Sequence, residues 1–129
     1  MTVLAQKAKL RHYKRLNNKF LKDAEELLEK GDIVQASEKF WGAAAEIVKA
    51  YAADKGIRTR THNDLWQVVI DLDKRHPSLA LLRDFNQAGY LHSNFYEDEL
   101  RSEAVRAAGK GVREFVGKIE RLLGPLVQK

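Results

Sequence analysis

The chain of 129 residues contains no cysteine, which excludes disulfide bonds and thiolate chemistry. It contains only two prolines, so few positions interrupt a helix. No apolar run approaches the roughly 20 residues that cross a bilayer, and residues 1–7 lack the apolar stretch of a signal peptide. We therefore expect a cytoplasmic protein without a membrane segment.

The composition is that of a globular protein. Hydrophobic residues make up 44% of the chain and charged residues 32%, which suits one folded domain over residues 1–129 with its own core. The formal net charge of +5 permits a polyanionic partner but does not require one.

Apolar residues recur every three or four positions, and this spacing predicts helices. The first runs from about Leu4 to Lys30, where Gly31 ends it. The second runs from Ile33 to about Lys55 and is capped by Asp32. Because the turn between them is very short, the two helices are expected to be antiparallel.

Three more helices follow in the prediction, and we see no strand alternation. The fold class is therefore all-α, an antiparallel up-and-down bundle of four or five helices. The third helix runs from a Thr61 cap to His76, the fourth from about Ser78 to a boundary at 94–98, and the fifth from about Glu99 to Leu123.

Two stretches resemble known families. Residues 27–46, in which a helix ends at a Gly-Asp turn and an alanine-rich helix follows, resemble the first helical hairpin of HEPN domains. Residues 91–97, Leu-His-Ser-Asn-Phe-Tyr-Glu, are similar to a signature of the archaeal PaREP proteins, a HEPN-like set. The likeness extends over about residues 16–122 and implies a HEPN-like bundle.

The resemblance also implies partners. HEPN domains are commonly homodimers, many are metal-independent ribonucleases, and some are toxins paired with a nucleotidyltransferase-like antitoxin. It therefore implies a homodimer that needs no cofactor and takes RNA or a nucleotide. It also implies a defence or toxin–antitoxin setting, with a nucleotidyltransferase-like protein as a further partner.

A HEPN active site pairs an arginine with a histidine and has four to six residues between them. The resemblance puts His92 at the histidine position and makes it the candidate catalytic residue. The corresponding arginine positions hold Phe85, Asn86 and Gln87. Arg83 stands nine residues before His92, which places it on the opposite face of a helix. The usual arginine is thus missing from its place.

RNA cleavage needs a base, an acid and groups that bind the phosphate, and a histidine can serve as base or acid. Asn86 and Gln87 can donate hydrogen bonds to a phosphate. Asn94 and Tyr96 are either a ligand-binding pair or the polar end of a helix. His92 shares the apolar stripe of its helix, so a hydrogen-bonded core or interface histidine is the alternative interpretation.

A basic face precedes these residues. Between Lys7 and Lys22 the chain has seven basic residues and no acid, a pattern that suits a phosphate backbone. Arg58 and Arg60 add a smaller cluster before the third helix. The alternative for all of them is a solvated charged surface. The predicted nucleic-acid contacts on one side of the first helix are Lys7, Arg11, Lys14, Arg15 and Lys22.

Three functions follow. The first is a dimeric nucleic-acid- or nucleotide-binding protein that is non-catalytic or weakly active. The second is a metal-independent endoribonuclease that uses His92. The third is a protein-interaction module that pairs with a nucleotidyltransferase-like partner. No metal site is predicted, because the four histidines lie far apart in the sequence and form no HExxH motif.

Overall fold

The fold is all-α, as predicted. The structure, a computed structural model, describes residues 2–97 and 100–124, and their side chains except those of residues 95–97. In these ranges there are five α-helices and no strand, and no helix is both long and apolar enough to cross a membrane. The helices are α1 (Val3–Glu29), α2 (Ile33–Asp54), α3 (His62–Arg75), α4 (Leu81–Glu97) and α5 (Ser102–Leu123), with a 3₁₀ turn at Pro77–Leu79.

A tight turn joins α1 and α2 into a hairpin. Gly31 adopts a left-handed backbone (φ +83°) that residues with a side chain rarely tolerate. This conformation lets the Asp32 N–H donate to the Leu27 carbonyl at 2.9 Å. The Asp32 carboxylate in turn accepts the Gln35 N–H at 3.2 Å and caps α2. The sequence signals at this turn therefore act as predicted.

The centre of the bundle is α2, which contacts all four other helices. Its many alanines allow close approach, and the core around it contains the buried rings of Phe40, Phe85 and Phe115. A close approach occurs at Gly109 of α5, where a Cβ atom would lie 2.6 Å from the Phe40 ring. The glycine is needed there because α5 crosses directly over that ring.

The start of α4 differs from the prediction. Ser78 belongs to the 3₁₀ turn, and α4 begins only at Leu81. Between them Ala80 adopts a left-handed backbone (φ 54°), which interrupts the helical path. The Asp73 carboxylate of α3 then accepts the Leu82 N–H at 3.1 Å and serves the first turn of α4.

The start of α5 also differs. The predicted first residue, Glu99, lies outside the described residues, and α5 begins at Ser102. Arg101 before it is extended (φ −78°, ψ 162°) and cannot belong to the helix. The Leu100 N–H donates to the Asn94 side chain at 2.7 Å, which fixes the approach to α5.

Candidate functional site

Two histidines, a glutamate and a tryptophan meet where α2, the start of α3 and α4 come together. The Glu38 carboxylate lies 3.0 Å from Nδ1 of His92. The ring of His62 lies 5.5 Å from that of His92, edge to face. Trp41 stacks on His92 with 5.3 Å between ring centroids. We call Glu38, Trp41, His62 and His92 the histidine cluster.

The wall of this cluster comes from α2. Glu38 and Trp41 are three residues apart, so they project from the same helix face. Trp41 is buried, and its ring also lies edge to face with the His62 ring at 5.7 Å between centroids. A buried indole that touches both imidazoles holds their relative positions, because core side chains have little room to move.

The position of His62 is set by the cap of α3. His62 is the first residue of that helix, and the preceding Thr61 hydroxyl accepts the Asp64 N–H at 3.1 Å. The Asp64 carboxylate accepts the N–H groups of Thr61 (3.1 Å) and Arg60 (2.8 Å). This capping box fixes the backbone on both sides of His62. The helix start also carries the positive end of the helix dipole, which favours an anion nearby.

The carboxylate of Glu38 gives His92 a defined chemical role. When Nδ1 carries the proton it donates to Glu38, and the lone pair of the ring is then on Nε2. The negative charge also stabilises the imidazolium that forms when Nε2 takes a proton. The His92 and Glu38 side chains are 28% and 31% exposed, so the pair is partly open to solvent. Among the described residues, no group of three acidic or histidine side chains is arranged to hold a metal ion.

The residues predicted near His92 are only partly brought to it. Asn94 is 2% exposed; its side-chain amide donates to the Ser37 hydroxyl at 2.9 Å, and its carbonyl accepts the Leu100 N–H. These bonds give Asn94 a structural task at the end of α4, and its ligand contact stays a prediction. The side chain of Tyr96 lies outside those that the structure describes.

Asn86 and Gln87 are exposed on other sides of α4. The Gln87 amide lies against Gly111 of α5. Asn86 is six residues before His92, about 9 Å along the helix axis. Their predicted phosphate contacts therefore stay predictions, at a distance from the cluster.

Arg83 does not supply the missing cation in this chain. Its guanidinium lies 3.4 Å from the carboxylate of Asp84. The other Asp84 oxygen accepts from Lys118 of α5 at 2.7 Å. The Arg83 side chain is 68% exposed, and because it stands nine residues before His92 it lies on the opposite side of α4.

The predicted basic face of α1 is divided. Lys7 pairs with Asp54 of α2 at 2.9 Å. Lys14 pairs with Glu120 of α5 at 2.7 Å and is only 14% exposed. The five side chains therefore do not form one outer surface, and contact with nucleic acid stays a prediction. Three of the five predicted contacts are exposed and make no ion pair among the described residues: Arg11, Arg15 and Lys22.

The pair that holds α1 to α2 has an electrostatic signature. Burial alone would raise the pKa of Asp54, but the hydrogen bond and charge of Lys7, with those of Lys55, outweigh burial and lower that pKa below its ordinary value. The charge of Lys7 therefore forms an ion pair within the protein, with Asp54.

Sequence reasoning missed Glu38 and His62. Glu38 carried a signal that was not used: it precedes Trp41 by one helical turn, and the two share the face of α2 that meets α4. No comparable signal exists for His62, because only the tertiary fold brings the start of α3 to His92.

Comparison with known families covers this whole region. A sequence profile of the archaeal PaREP1/PaREP8 family matches residues 12–116. The chain belongs to this family. The predicted membership is thereby confirmed, and the matched range includes every residue of the histidine cluster.

A solved structure of similar fold comes from Sulfolobus solfataricus. The protein in that crystal structure is 25% identical in sequence to this chain. The match covers 84% of this chain and 96% of the other, with a TM-score of 0.75. No curated protein matches the chain. The wider likeness to HEPN domains, the homodimer, the nucleotidyltransferase-like partner and the defence setting stay predictions for this PaREP protein.

Proposed function

We propose that this PaREP protein binds RNA and cleaves it slowly, without a metal cofactor, at the histidine cluster. The supporting observation is the Glu38 carboxylate 3.0 Å from Nδ1 of His92, with the His62 ring 5.5 Å from that of His92. Phosphodiester cleavage requires one group that takes a proton and another that gives one. Two adjacent, solvent-reachable imidazoles can fill both roles.

In the proposed reaction, Nε2 of His92 removes the proton of a ribose 2′-OH, and Glu38 stabilises the resulting imidazolium. The 2′ oxygen forms a bond to phosphorus, and the bond from phosphorus to the 5′ oxygen breaks. Protonated His62 donates its proton to that leaving oxygen. The products are a 2′,3′-cyclic phosphate and a free 5′-OH, so atoms and charges balance without a further reagent.

The charges of the chain support an RNA ligand. The net charge is +5, and Arg11, Arg15 and Lys22 are exposed along α1. Such cations hold phosphates and make binding weaker at high salt. The proposed reaction is slow because the residues at the usual arginine positions bring no cation to the developing phosphate charge.

Cleavage of a labelled single-stranded RNA, in the presence of EDTA, tests the proposal. Replacing His92 by Asn removes the base and is expected to lower the rate about 10²–10⁴-fold. The matched control is His76→Asn at the other end of α3, about 20 Å from His62 along the helix, which should leave the rate unchanged. Equal rates for all three proteins would refute the role of His92.

Glu38→Gln tests the positioning role of the carboxylate. The amide keeps the size of the side chain but loses the charge that favours the imidazolium, so kcat is expected to fall about tenfold or more. KM should stay within error, since Glu38 does not hold the substrate. A change in KM alone, with kcat unchanged, would contradict this role.

A further inference from the structure

A cavity of about 290 Å³ lies between the first half of α1 and residues 53–60, which connect α2 to α3. Of the eight described residues that line it, three are cations and none is acidic. The cations are Lys9, Arg58 and Arg60. The volume is close to the lower end of the roughly 300–1,000 Å³ typical of small-ligand sites.

The positive charge of this cavity is not neutralised from within. Among the described residues, the side chains of Lys9, Arg58 and Arg60 make no ion pair or hydrogen bond. Two acids flank the lining segment. The Asp54 carboxylate is already bound by Lys7 at 2.9 Å and faces Lys55 at 3.4 Å, and the Asp64 carboxylate accepts the backbone N–H groups of Arg60 and Thr61. A cavity lined by three cations that make no ion pair among the described residues attracts an anion.

The backbone makes this arrangement specific to the fold. Gly56 adopts a left-handed conformation (φ +72°) directly after α2 and turns the chain back along α1. Ile57 then donates its N–H to the Ala52 carbonyl at 2.8 Å, which fastens the turn. The Asp64 carboxylate holds the Arg60 N–H at the other end of the segment. Both arginines are therefore presented from a fixed backbone.

The chemistry of the lining suits a phosphate attached to an organic group. Arginine binds phosphate through paired N–H donors. Tyr13 adds an aromatic ring and a hydroxyl to the same cavity, and rings of this kind stack on nucleobases. Arg60 stands two residues before His62, so their Cα atoms are at most about 7 Å apart and one lining residue of the cavity lies close to the histidine cluster.

We propose that this cavity binds a phosphate of the RNA strand whose neighbouring phosphodiester reaches His62 and His92. Arg58 and Arg60 hold the phosphate, Lys9 adds charge from α1, and Tyr13 contacts the adjoining nucleoside. This assignment rests on the proposed function and gives the RNA strand a cationic site beside the histidine cluster, whereas the cleaved phosphodiester itself stays without a cation.

The test is RNA binding measured by fluorescence anisotropy in a His92→Asn background, where cleavage does not interfere. The probe is a short labelled oligouridylate. Arg58→Gln and Arg60→Gln are each expected to weaken binding roughly three- to tenfold, and each should reduce the salt dependence of log K by about 0.7. Arg106→Gln, an exposed arginine of α5 outside the cavity, is the matched control.

The outcomes are distinct. If the double variant Arg58→Gln/Arg60→Gln binds RNA as tightly as the Arg106→Gln control, with circular dichroism showing all proteins folded, the assignment is overturned. A parallel titration with adenosine monophosphate separates the two sources of phosphate. If the double variant loses binding of adenosine monophosphate but not of RNA, the cavity binds a free nucleotide, and its assignment to the RNA strand is overturned.

The binding and cleavage assays distinguish a failure of the phosphate site from a failure of the proposed reaction. Binding that depends on Arg58 and Arg60, together with no cleavage by the wild-type protein, would keep the phosphate site and remove the catalytic role of the histidine cluster. Cleavage that depends on His92, together with binding indifferent to both arginines, would do the reverse.

Discussion

Replacing Gly109 by alanine tests whether α5 crosses α2 as closely as the structure requires. The added methyl group would lie 2.6–3.0 Å from three carbons of the Phe40 ring. That ring is fully buried, so it has no open side to move into. Overpacking of this kind costs about 1–3 kcal/mol, whereas alanine favours a helix over glycine by about 1 kcal/mol. We expect a net loss of up to about 2 kcal/mol.

The same helix offers a matched control. At Gly111 the nearest atom to an added Cβ is the Gln87 amide oxygen at 3.6 Å, an ordinary contact. Gly111→Ala should therefore gain up to about 1 kcal/mol from helix propensity alone. Urea unfolding followed by circular dichroism measures both changes. If Gly109→Ala is as stable as Gly111→Ala, the close crossing of α5 over Phe40 is wrong.

Two further changes probe the pairs that fasten the bundle. Because its pKa is lowered in the folded protein, Asp54 stabilises the fold above the ordinary aspartate pKa of about 3.9, and this contribution is lost as pH falls through the folded pKa. Asp54→Asn should therefore lower the free energy of unfolding by less than about 1 kcal/mol at pH 7. It should also reduce the loss of stability that the wild-type protein shows as the pH falls into the acid range. An unchanged loss would show that the pairing of Asp54 with Lys7 contributes nothing to stability. Asn94→Ala leaves the Leu100 N–H and the Ser37 hydroxyl without the Asn94 side chain, at a cost of about 1–3 kcal/mol; a loss under 0.5 kcal/mol by denaturant unfolding would contradict that structural role.

The sequence predicts most of the fold because its signals are local. The stop at Gly31, the cap at Asp32 and the cap at Thr61 each act within a few residues, and all lie where the patterns indicate. The predicted starts of α4 and α5 are too early because these starts depend on contacts that are not local. Asp73 of α3 binds the first turn of α4, and Asn94 binds the segment before α5.

Of the residues in the histidine cluster, the sequence predicts a role in the candidate site only for His92. The family resemblance supplied that residue, but the predicted neighbours Asn86 and Gln87 lie elsewhere on α4. The side chains that do surround it, Glu38 and His62, come from α2 and from the start of α3. Helical periodicity describes one helix at a time, so it cannot say which residues of separate helices meet. The split of the α1 cations has the same cause, since the acids that pair with them lie on α2 and α5.

The central claim is that the fold places His62 beside His92 as the second acid–base group of the site. The most direct test is the rate of RNA cleavage by the His62→Asn variant against pH, beside the wild-type protein. We expect a rate about 10²-fold or more below the wild type, and a bell-shaped wild-type profile of which the variant loses the limb that reports the acid. A variant with the wild-type rate and profile would contradict the claim and leave His62 as a neighbour of the site without a chemical role.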